Sequence, residues 1–247
     1  MRYRPNKQNR QDRPNTAKWT VMVYMAGDNN LDTAALRDIA EMARVGSSDK
    51  VNILVQLDRA NDFLTRRFFI TRGGGYRKDC VETFEETDTG DPKVLENFML
   101  WAMEKYPANR YLLILWNHLI LWNHGGGWWE DPRRSIAYDD SSDGDALDNG
   151  ELKTALSSIT KKLGKPIDIL GMDACLMNMV EVAYQLKDCV HVMVGSEEEE
   201  PFDGWPYDKV LRVLKNRPGR HPPWEKRSSG NTSTLTVERA RMSPNLP

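Results

Sequence analysis

The sequence predicts an α/β fold in which a mainly parallel β-sheet is flanked by helices on both faces. Short runs rich in β-branched and apolar residues alternate with longer stretches of helical periodicity from about residue 19 to about residue 216. Such alternation is typical of parallel sheets whose strands are joined by crossover helices. Ligands of open sheets of this kind bind beyond the carboxyl ends of the strands, so we expect a functional site at that edge.

Each predicted strand is a short apolar run, and each predicted helix has apolar residues at helical spacing. The predicted strands are Trp19–Met25, Val51–Leu57, Arg67–Thr71, Tyr111–Trp116 or its shifted copy, Ile167–Leu170 and Val190–Val194. The predicted helices are Leu31–Arg44, Pro92–Tyr106, Asn149–Leu163, Met177–Lys187 and Tyr207–Lys215. The dipeptide Asp91-Pro92 is an acceptable helix start, because proline suits the first helical position.

Composition divides the chain into three parts. Residues 1–18 carry six basic residues against a single Asp12 and no apolar core, so we predict a flexible basic arm. Residues 19–217 carry the alternating pattern and are predicted to form the folded domain. Residues 218–247 are rich in proline and polar residues, and we predict that they are disordered or poorly packed.

Overall composition excludes several classes of partner. The formal net charge of −2 gives no global electrostatic support for a nucleic-acid or anionic-membrane partner. No apolar stretch approaches the roughly 18 to 20 residues of a membrane helix. Three cysteines are an odd number and too few to staple the domain, so reduced thiols are expected. The apolar run Val21–Ala26 is too short for a convincing signal peptide, and a cytoplasmic location is the default expectation.

A tandem repeat marks the centre of the chain. The hexapeptide LILWNH occurs at Leu113–His118 and again at Leu119–His124, and the second copy continues into three glycines. Strand side chains alternate with period two, so a shift of six residues preserves which of them face the core, and both registers are admissible. We favour the second copy for catalysis, because only His124 keeps the glycines beside it.

A histidine at the end of an apolar strand, followed by glycines, is suited to proton transfer beside a substrate carbonyl. Downstream, the segment GMDACLM places Cys175 at the tip of another predicted strand, 51 residues after His124. A His-to-Cys separation of about 50 residues is that of caspases. A thiolate at Cys175 would attack, His124 would protonate the departing amine, and the N–H groups of Cys175 and Gly125 would bind the oxyanion. The sequence therefore predicts a cysteine peptidase.

The two motifs NHGGGWW and GMDACLM resemble the clostripain family of cysteine peptidases, which share the caspase-like fold. The segment WTVMVYMAGDNNLD at residues 19–32 is similar to the opening strand and loop of that family. The segment SEEEEPFDGWPYDKVL at residues 196–211 is similar to the region that follows the nucleophile. The resemblance covers about residues 18–216 and adds a caspase-like topology to the predicted α/β fold.

The resemblance implies that His124 and Cys175 form the catalytic dyad. It also implies that Asp173 and Asp203 line the primary specificity pocket, and that cleavage follows arginine, with lysine as the second choice. Two carboxylates at the base of a cleft can pair with a guanidinium in a bidentate way. The expected partner is a peptide or protein substrate with Arg or Lys before the scissile bond, without nucleic acid or membrane.

The resemblance also raises calcium binding and self-cleavage, because some family members show one or the other. The acidic segment Asp139–Glu151 suggests a metal site, but no frame of it supplies the EF-hand ligands at both the fifth and the twelfth position. No cofactor is therefore assigned, and calcium stays an open alternative. Arg133 and Arg134 lie in the connection between the two motifs and would suit self-cleavage.

Two departures from the family pattern keep other functions open. The extra hexapeptide lies at the catalytic strand, and the resemblance ends where family members continue with more sheet and helix. One alternative is a caspase-like interaction module without catalytic turnover. Another is a calcium-responsive binding domain built around Asp139 to Asp148. For Cys189 and His191 we predict packed core positions instead of catalytic roles.

Overall fold

The computed structural model describes residues 16–117, 135–175, 177–197, 204–216 and 218. Its strands are β1 (Ala17–Gly27), β2 (Val51–Arg59), β3 (Leu64–Phe69), β4 (Cys80–Glu85), β5 (Ala108–Trp116), β6 (Ser135–Asp139), β7 (Asp145–Asp148), β8 (Ile169–Asp173) and β9 (Met193–Val194). Its helices are α1 (Asp32–Val45), α2 (Pro92–Lys105), α3 (Asn149–Leu163), α4 (Val180–Leu186) and α5 (Tyr207–Asn216).

Seven strands form the main sheet in the order β4-β3-β2-β1-β5-β8-β9, and β6 and β7 form a separate two-stranded sheet. β1 pairs in parallel with β2 and β5, and β8 pairs in parallel with β5 and β9. β3 and β4 are antiparallel and lie at one edge. The prediction of a mainly parallel sheet is confirmed. The almost fully buried apolar run of β1 agrees with its central position, because such strands are covered on both faces.

Helices cover both faces of the main sheet, as predicted. The helices α2, α3 and α4 pack on one face, against a cluster that includes Leu113 and Leu115 of β5. The helices α1 and α5 pack on the other face, against Ile114 and Trp116. Neighbouring side chains of a strand point to opposite faces, so β5 contributes to both clusters. Within the described ranges, no helix is long and apolar enough to cross a membrane.

The starts of α2 and α3 agree with the predictions because both have strong caps. The Asp91 side chain accepts a hydrogen bond from the backbone N of Lys93 at 2.8 Å. The Asp148 side chain accepts from the backbone N of Glu151, whose own carboxylate accepts from the backbone N of Asp148, which completes a capping box. Gly164 ends α3 in a left-handed conformation with φ of 68°, which favours glycine.

Three strands were not predicted, and each has a local reason. β4 lies at the sheet edge with most of its side chains exposed, including Val81 and Phe84, so its sequence has no buried apolar face. β6 and β7 form a short hairpin of five and four residues. A fourth strand, β9, was predicted as Val190–Val194 but is shorter, because Val190 contributes an isolated bridge to Ile167 instead of a continuous ladder.

The structure also refines the ends of the folded domain. β1 begins at Ala17, so the sheet includes the last two residues of the predicted arm. The indole Nε1 of Trp19 donates a hydrogen bond to the carbonyl oxygen of Pro218 at 3.1 Å, which ties that residue to β1. The predicted arm before residue 16 and the predicted tail after residue 218 lie outside the described residues.

The structure corrects the register that we favoured for the LILWNH repeat. The first copy forms β5, and Trp116 pairs with Met25 of β1 and with Asp173 of β8. In the second register, Asn117 and His118 would take the strand positions of Tyr111 and Leu112, which are buried. Burying an amide and an imidazole without partners costs free energy that the two apolar residues avoid. The second copy lies outside the described residues.

Matched substitutions in the two copies test this register. Leu115 is fully buried in β5, and Leu121 is its equivalent in the second copy. We expect Leu115→Ala to lower the free energy of unfolding by about 2 to 5 kcal/mol, because it leaves a cavity in the core. Leu121→Ala should cost clearly less, as measured by urea unfolding. Equal losses, or a larger loss for Leu121→Ala, would show that the second copy forms the strand.

Candidate active site

The candidate site lies where β5 and β8 end side by side. Trp116 is opposite Asp173, and the backbone N of Asn117 donates a hydrogen bond to the carbonyl oxygen of Asp173 at 3.3 Å. Both strands run in the same direction, so the chain leaves them at the same edge of the sheet. Cys175 follows β8 by two residues and is 8% exposed. The peptide that leads into His118 and the predicted nucleophile therefore leave neighbouring strands at one edge.

Several predicted site residues lie outside the described residues. These are His124 and Gly125 of the second copy and its glycine run, His118 of the first copy, and Asp203. The structure describes the other two predicted residues, Cys175 and Asp173, and brings them together at the end of β8. Cys189 is buried in the core, which confirms its predicted packing role, and its Sγ lies 3.3 Å from the hydroxyl of Ser157. The same prediction for His191 is wrong, because its side chain is exposed just before β9.

Asn117 fastens the end of β5 to its surroundings, a role that the sequence reasoning missed. Its Nδ2 donates to the carbonyl oxygens of Ala26 at 3.1 Å and Tyr138 at 3.4 Å. Asn29 binds the same two oxygens, at 2.9 and 3.0 Å. Two amide side chains therefore join the ends of β1 and β5 to β6. The signal was visible in the sequence, since an asparagine ends the apolar run of each repeat copy and another follows the first strand.

Asp173 is almost fully buried and holds the segment that leads into α5. Its Oδ2 accepts hydrogen bonds from the hydroxyl of Tyr207 at 2.8 Å and from the backbone N of Trp205 at 3.4 Å. Gly204 lies against the same carboxylate in a left-handed conformation with φ of 62°, and a Cβ there would lie 3.4 Å from both Asp173 oxygens. These contacts bring the residue next to Asp203 up to the end of β8.

The comparisons with known proteins agree with this geometry. A family model described as the clostripain family matches residues 23–118 and 119–225. The two matched segments meet between His118 and Leu119, which is the boundary between the two copies of LILWNH. Clostripain from Hathewaya histolytica is 33% identical, in a match that covers 80% of this chain and 42% of that protein. The chain belongs to the clostripain family.

Two solved structures of C11 cysteine proteases share the fold of this clostripain-family chain. A secreted C11 cysteine protease from Bacteroides thetaiotaomicron, in complex with an irreversible peptide inhibitor, is 28% identical with a TM-score of 0.66, over 80% of this chain and 54% of that one. An inactive zymogen C11 protease from Parabacteroides distasonis is 27% identical with a TM-score of 0.62, over 81% and 54%. The predicted caspase-like α/β fold is confirmed. The chain spans 42% to 54% of the length of these relatives.

A buried carboxyl group lies beneath the end of β5. Asp38 of α1 accepts a hydrogen bond from the indole Nε1 of Trp116 at 2.8 Å and is 6% exposed. Burial and the charge of nearby Asp173 together raise the pKa of Asp38 to about 7, whereas the Trp116 hydrogen bond opposes the rise. Part of the Asp38 population therefore keeps its proton at neutral pH, directly below the candidate site.

The raised pKa of Asp38 predicts a pH-dependent stability difference. Between its ordinary pKa of 3.8 and the folded value of about 7, the folded protein holds a proton that the unfolded chain releases. The free energy of unfolding therefore falls as the pH rises through this window, by at most about 1.4 kcal/mol per pH unit, and the effect levels off above it.

Asp38→Asn keeps an oxygen acceptor for Trp116 but cannot ionise. Relative to the parent, its free energy of unfolding should therefore increase as the pH rises from about 5 to about 7.5, as measured by urea unfolding at each pH. Asp49→Asn, at an exposed position, is the matched control and should follow the parent. Parallel curves for Asp38→Asn and the parent would contradict the raised pKa.

Proposed function

We propose that this chain is a cysteine endopeptidase that cleaves peptide bonds after arginine, with lysine as the second choice. Cys175 is the nucleophile and His124 is the acid–base group, and the N–H groups of Cys175 and Gly125 bind the oxyanion. The observation that carries the proposal is the pairing of Trp116 with Asp173, which brings the end of the repeat strand beside the strand that leads to Cys175. Membership of the clostripain family supports the same reaction.

The proposed reaction has two steps. The thiolate of Cys175 attacks the carbonyl carbon of the scissile bond, and the carbonyl oxygen becomes an oxyanion that accepts hydrogen bonds from the two N–H groups. The imidazolium of His124 then gives its proton to the departing amine, which leaves an acyl group on the sulfur. A water molecule gives a proton to the imidazole and attacks the thioester, which releases the acid and restores the thiolate and the imidazolium.

The repeat supplies a second candidate for the imidazole. With the first copy in β5, His118 directly follows Asn117, whose backbone is hydrogen-bonded to Asp173 at the end of β8. This register favours His118 as the acid–base group. The glycine run favours His124 in that role, because glycine lets substrate approach the main chain closely. The two histidines are separated by one copy of six residues, a length that allows a compact loop with close ends.

Alanine variants test the dyad and choose between the histidines. Cys175→Ala should lower kcat/KM for a fluorogenic peptide with arginine before the scissile bond by at least about a thousandfold, because it removes the nucleophile. His124→Ala should cause a similar loss, and His118→Ala should retain activity. Cys189→Ala removes a buried thiol away from the site and is the matched control.

The opposite outcome for the two histidines would assign the acid–base role to His118. If the His118→Ala, His124→Ala double variant kept the activity of the parent, the repeat would not supply the catalytic imidazole. If the parent itself cleaved no such peptide under reducing conditions, with or without calcium, the chain would be a caspase-like interaction module without turnover, which is the alternative function.

The arginine preference rests on the proposed pocket acids Asp173 and Asp203. Asp173 is 4% exposed, and its Oδ2 already accepts from Tyr207 and Trp205, so a guanidinium would bind this carboxylate at the end of β8 without displacing water from an open surface. A buried carboxylate held in place by such hydrogen bonds discriminates strongly for a positively charged side chain, because a neutral one would leave the buried carboxylate charge uncompensated.

Specificity can be measured with a matched pair of peptides. One peptide carries arginine before the scissile bond, and the other carries citrulline, which has almost the same shape and no charge. Asp173→Asn should lower the ratio of kcat/KM for arginine over citrulline by about tenfold or more. Asp208→Asn, at a partly exposed position of α5, is the control and should preserve the ratio. An unchanged ratio in Asp173→Asn would remove Asp173 from the specificity pocket.

A further inference from the structure

The phenol of Tyr207 lies against the carboxylate of Asp173, one of the two proposed pocket acids. Tyr207 begins α5 and is fully buried, and its hydroxyl donates a hydrogen bond to Oδ2 of Asp173 at 2.8 Å. Its ring belongs to the apolar cluster on the face of the sheet that α1 and α5 cover. A phenylalanine ring would fill the same space, so core packing alone does not require the hydroxyl.

The position of this hydroxyl is set by the way α5 is fixed to the rest of the domain. Leu211 and Leu214 of α5 are buried in the same cluster. Near the other end of the helix, Nζ of Lys215 donates to the carbonyl oxygens of Val45 and Gly46 at 2.7 and 3.0 Å, where α1 ends. A lysine in this place satisfies carbonyl groups that the end of a helix leaves without partners. The first residue of α5 therefore presents its hydroxyl from a firmly anchored helix.

A second donor reaches the same carboxylate oxygen from the segment before α5. The backbone N of Trp205 donates to Oδ2 of Asp173 at the longer distance of 3.4 Å. The indole of Trp205 lies on β8 at Gly171, where a Cβ would come within 3.0 Å of the ring. Glycine at that strand position makes room for the indole, and the backbone N of Trp205 thereby lies beside Asp173.

These two contacts fix the orientation of the Asp173 carboxylate. The χ2 torsion of an aspartate has a broad, roughly two-fold distribution, so a carboxylate plane is poorly defined unless hydrogen bonds define it. The donors from Tyr207 and Trp205 hold Oδ2 toward α5, and the direction of the other oxygen follows from this. The nearer donor is the Tyr207 hydroxyl, so we expect it to contribute most to this orientation.

The orientation of a carboxylate matters more for arginine than for lysine. A guanidinium is planar and pairs with both oxygens of a carboxylate through two parallel N–H···O bonds. The ammonium group of lysine is a compact charge with three rotatable donors, and it needs no particular carboxylate plane. A carboxylate that keeps its charge but loses its fixed plane therefore binds arginine less well and lysine about as well as before.

We propose that Tyr207 is a positioning residue of the specificity pocket, and that its hydroxyl fixes the Asp173 carboxylate in the orientation that favours arginine over lysine. The inference rests on the proposed function, because it requires Asp173 to bind the side chain before the scissile bond. Tyr207 is fully buried, so it acts through Asp173 instead of touching the substrate. The second place of lysine in the proposed preference then has a physical cause.

Removal of the hydroxyl tests this role and leaves the ring in place. Tyr207→Phe should lower kcat/KM for a fluorogenic peptide with arginine before the scissile bond by about tenfold, because a hydrogen bond to the pocket carboxylate is lost. For the matched lysine peptide, kcat/KM should stay within about twofold of the parent value. The ratio of kcat/KM for arginine over lysine should therefore fall by about fivefold or more.

Tyr24→Phe is the matched control, because it removes the hydroxyl of another fully buried tyrosine. The Tyr24 hydroxyl donates to the carbonyl oxygen of Thr89 at 3.0 Å, and its ring belongs to the cluster on the other face of the sheet. Both substitutions should lower the free energy of unfolding, as measured by urea unfolding. Tyr24→Phe should leave the ratio of arginine to lysine cleavage unchanged, whereas a purely structural role of Tyr207 would leave it unchanged in both variants.

Binding without turnover shows which step is affected. The full chain with Cys175→Ala lacks the nucleophile, so calorimetric titration gives its affinity for each uncleaved peptide. Adding Tyr207→Phe should weaken binding of the arginine peptide by about tenfold and change binding of the lysine peptide by less than about twofold. Equal factors in affinity and in kcat/KM would place the effect in recognition of the side chain, as the proposal requires.

Two results would overturn the positioning role of Tyr207. One is a loss for the lysine peptide as large as the loss for the arginine peptide, and the other is no loss for either peptide. In both cases, a parent that prefers arginine over citrulline would keep the proposed function. A parent with no such preference would overturn the pocket assignment, and the role of Tyr207 with it.

Discussion

The parallel pairing of β5 with β8 is the constraint on which the candidate site depends. It puts Trp116 opposite Asp173 and joins Asn117 to the Asp173 carbonyl, so two segments far apart in the chain end at the same edge. β5 also pairs with β1 along most of its length and sends side chains into both core clusters. A slip of β5 would disturb both cores, and this coupling is what keeps the strand ends in place.

Much of the fold follows from the sequence because its central strands and long helices are strongly patterned. α3 spans the predicted Asn149–Leu163, since a capping box starts it and a left-handed glycine follows it. β4 was not predicted because most of its side chains are exposed, and β6 and β7 were not predicted because strands of five and four residues are too short to show a clear alternation. The register of the repeat could have been predicted from the sequence. The buried positions of Tyr111 and Leu112 exclude the Asn117 and His118 that the other register would place there.

The candidate site was predictable to the extent that its residues belong to continuous motifs. Cys175 and Asp173 share one segment after a buried strand, and the parallel-sheet rule places that segment at the ligand-binding edge. The hydrogen bonds from Tyr207 and Trp205 to Asp173 depend on how α5 packs, and no local pattern encodes that packing. An acid cluster formed by Asp28, Asp58, Glu86 and Asp139 is harder still to predict, because its members lie as much as 111 residues apart and each alone resembles a solvated carboxylate.

The acid cluster and the candidate active site share one structural element, the hairpin strand β6. Asp139 belongs to the cluster, and the adjacent Tyr138 carbonyl binds the Asn117 side chain at the end of β5. Burial raises the pKa of Asp58 in this cluster, and the charges of Asp139, Glu86 and Asp28 contribute to the rise. The Asn117 side chain therefore ties the end of β5 to a strand that also carries one of these carboxylates.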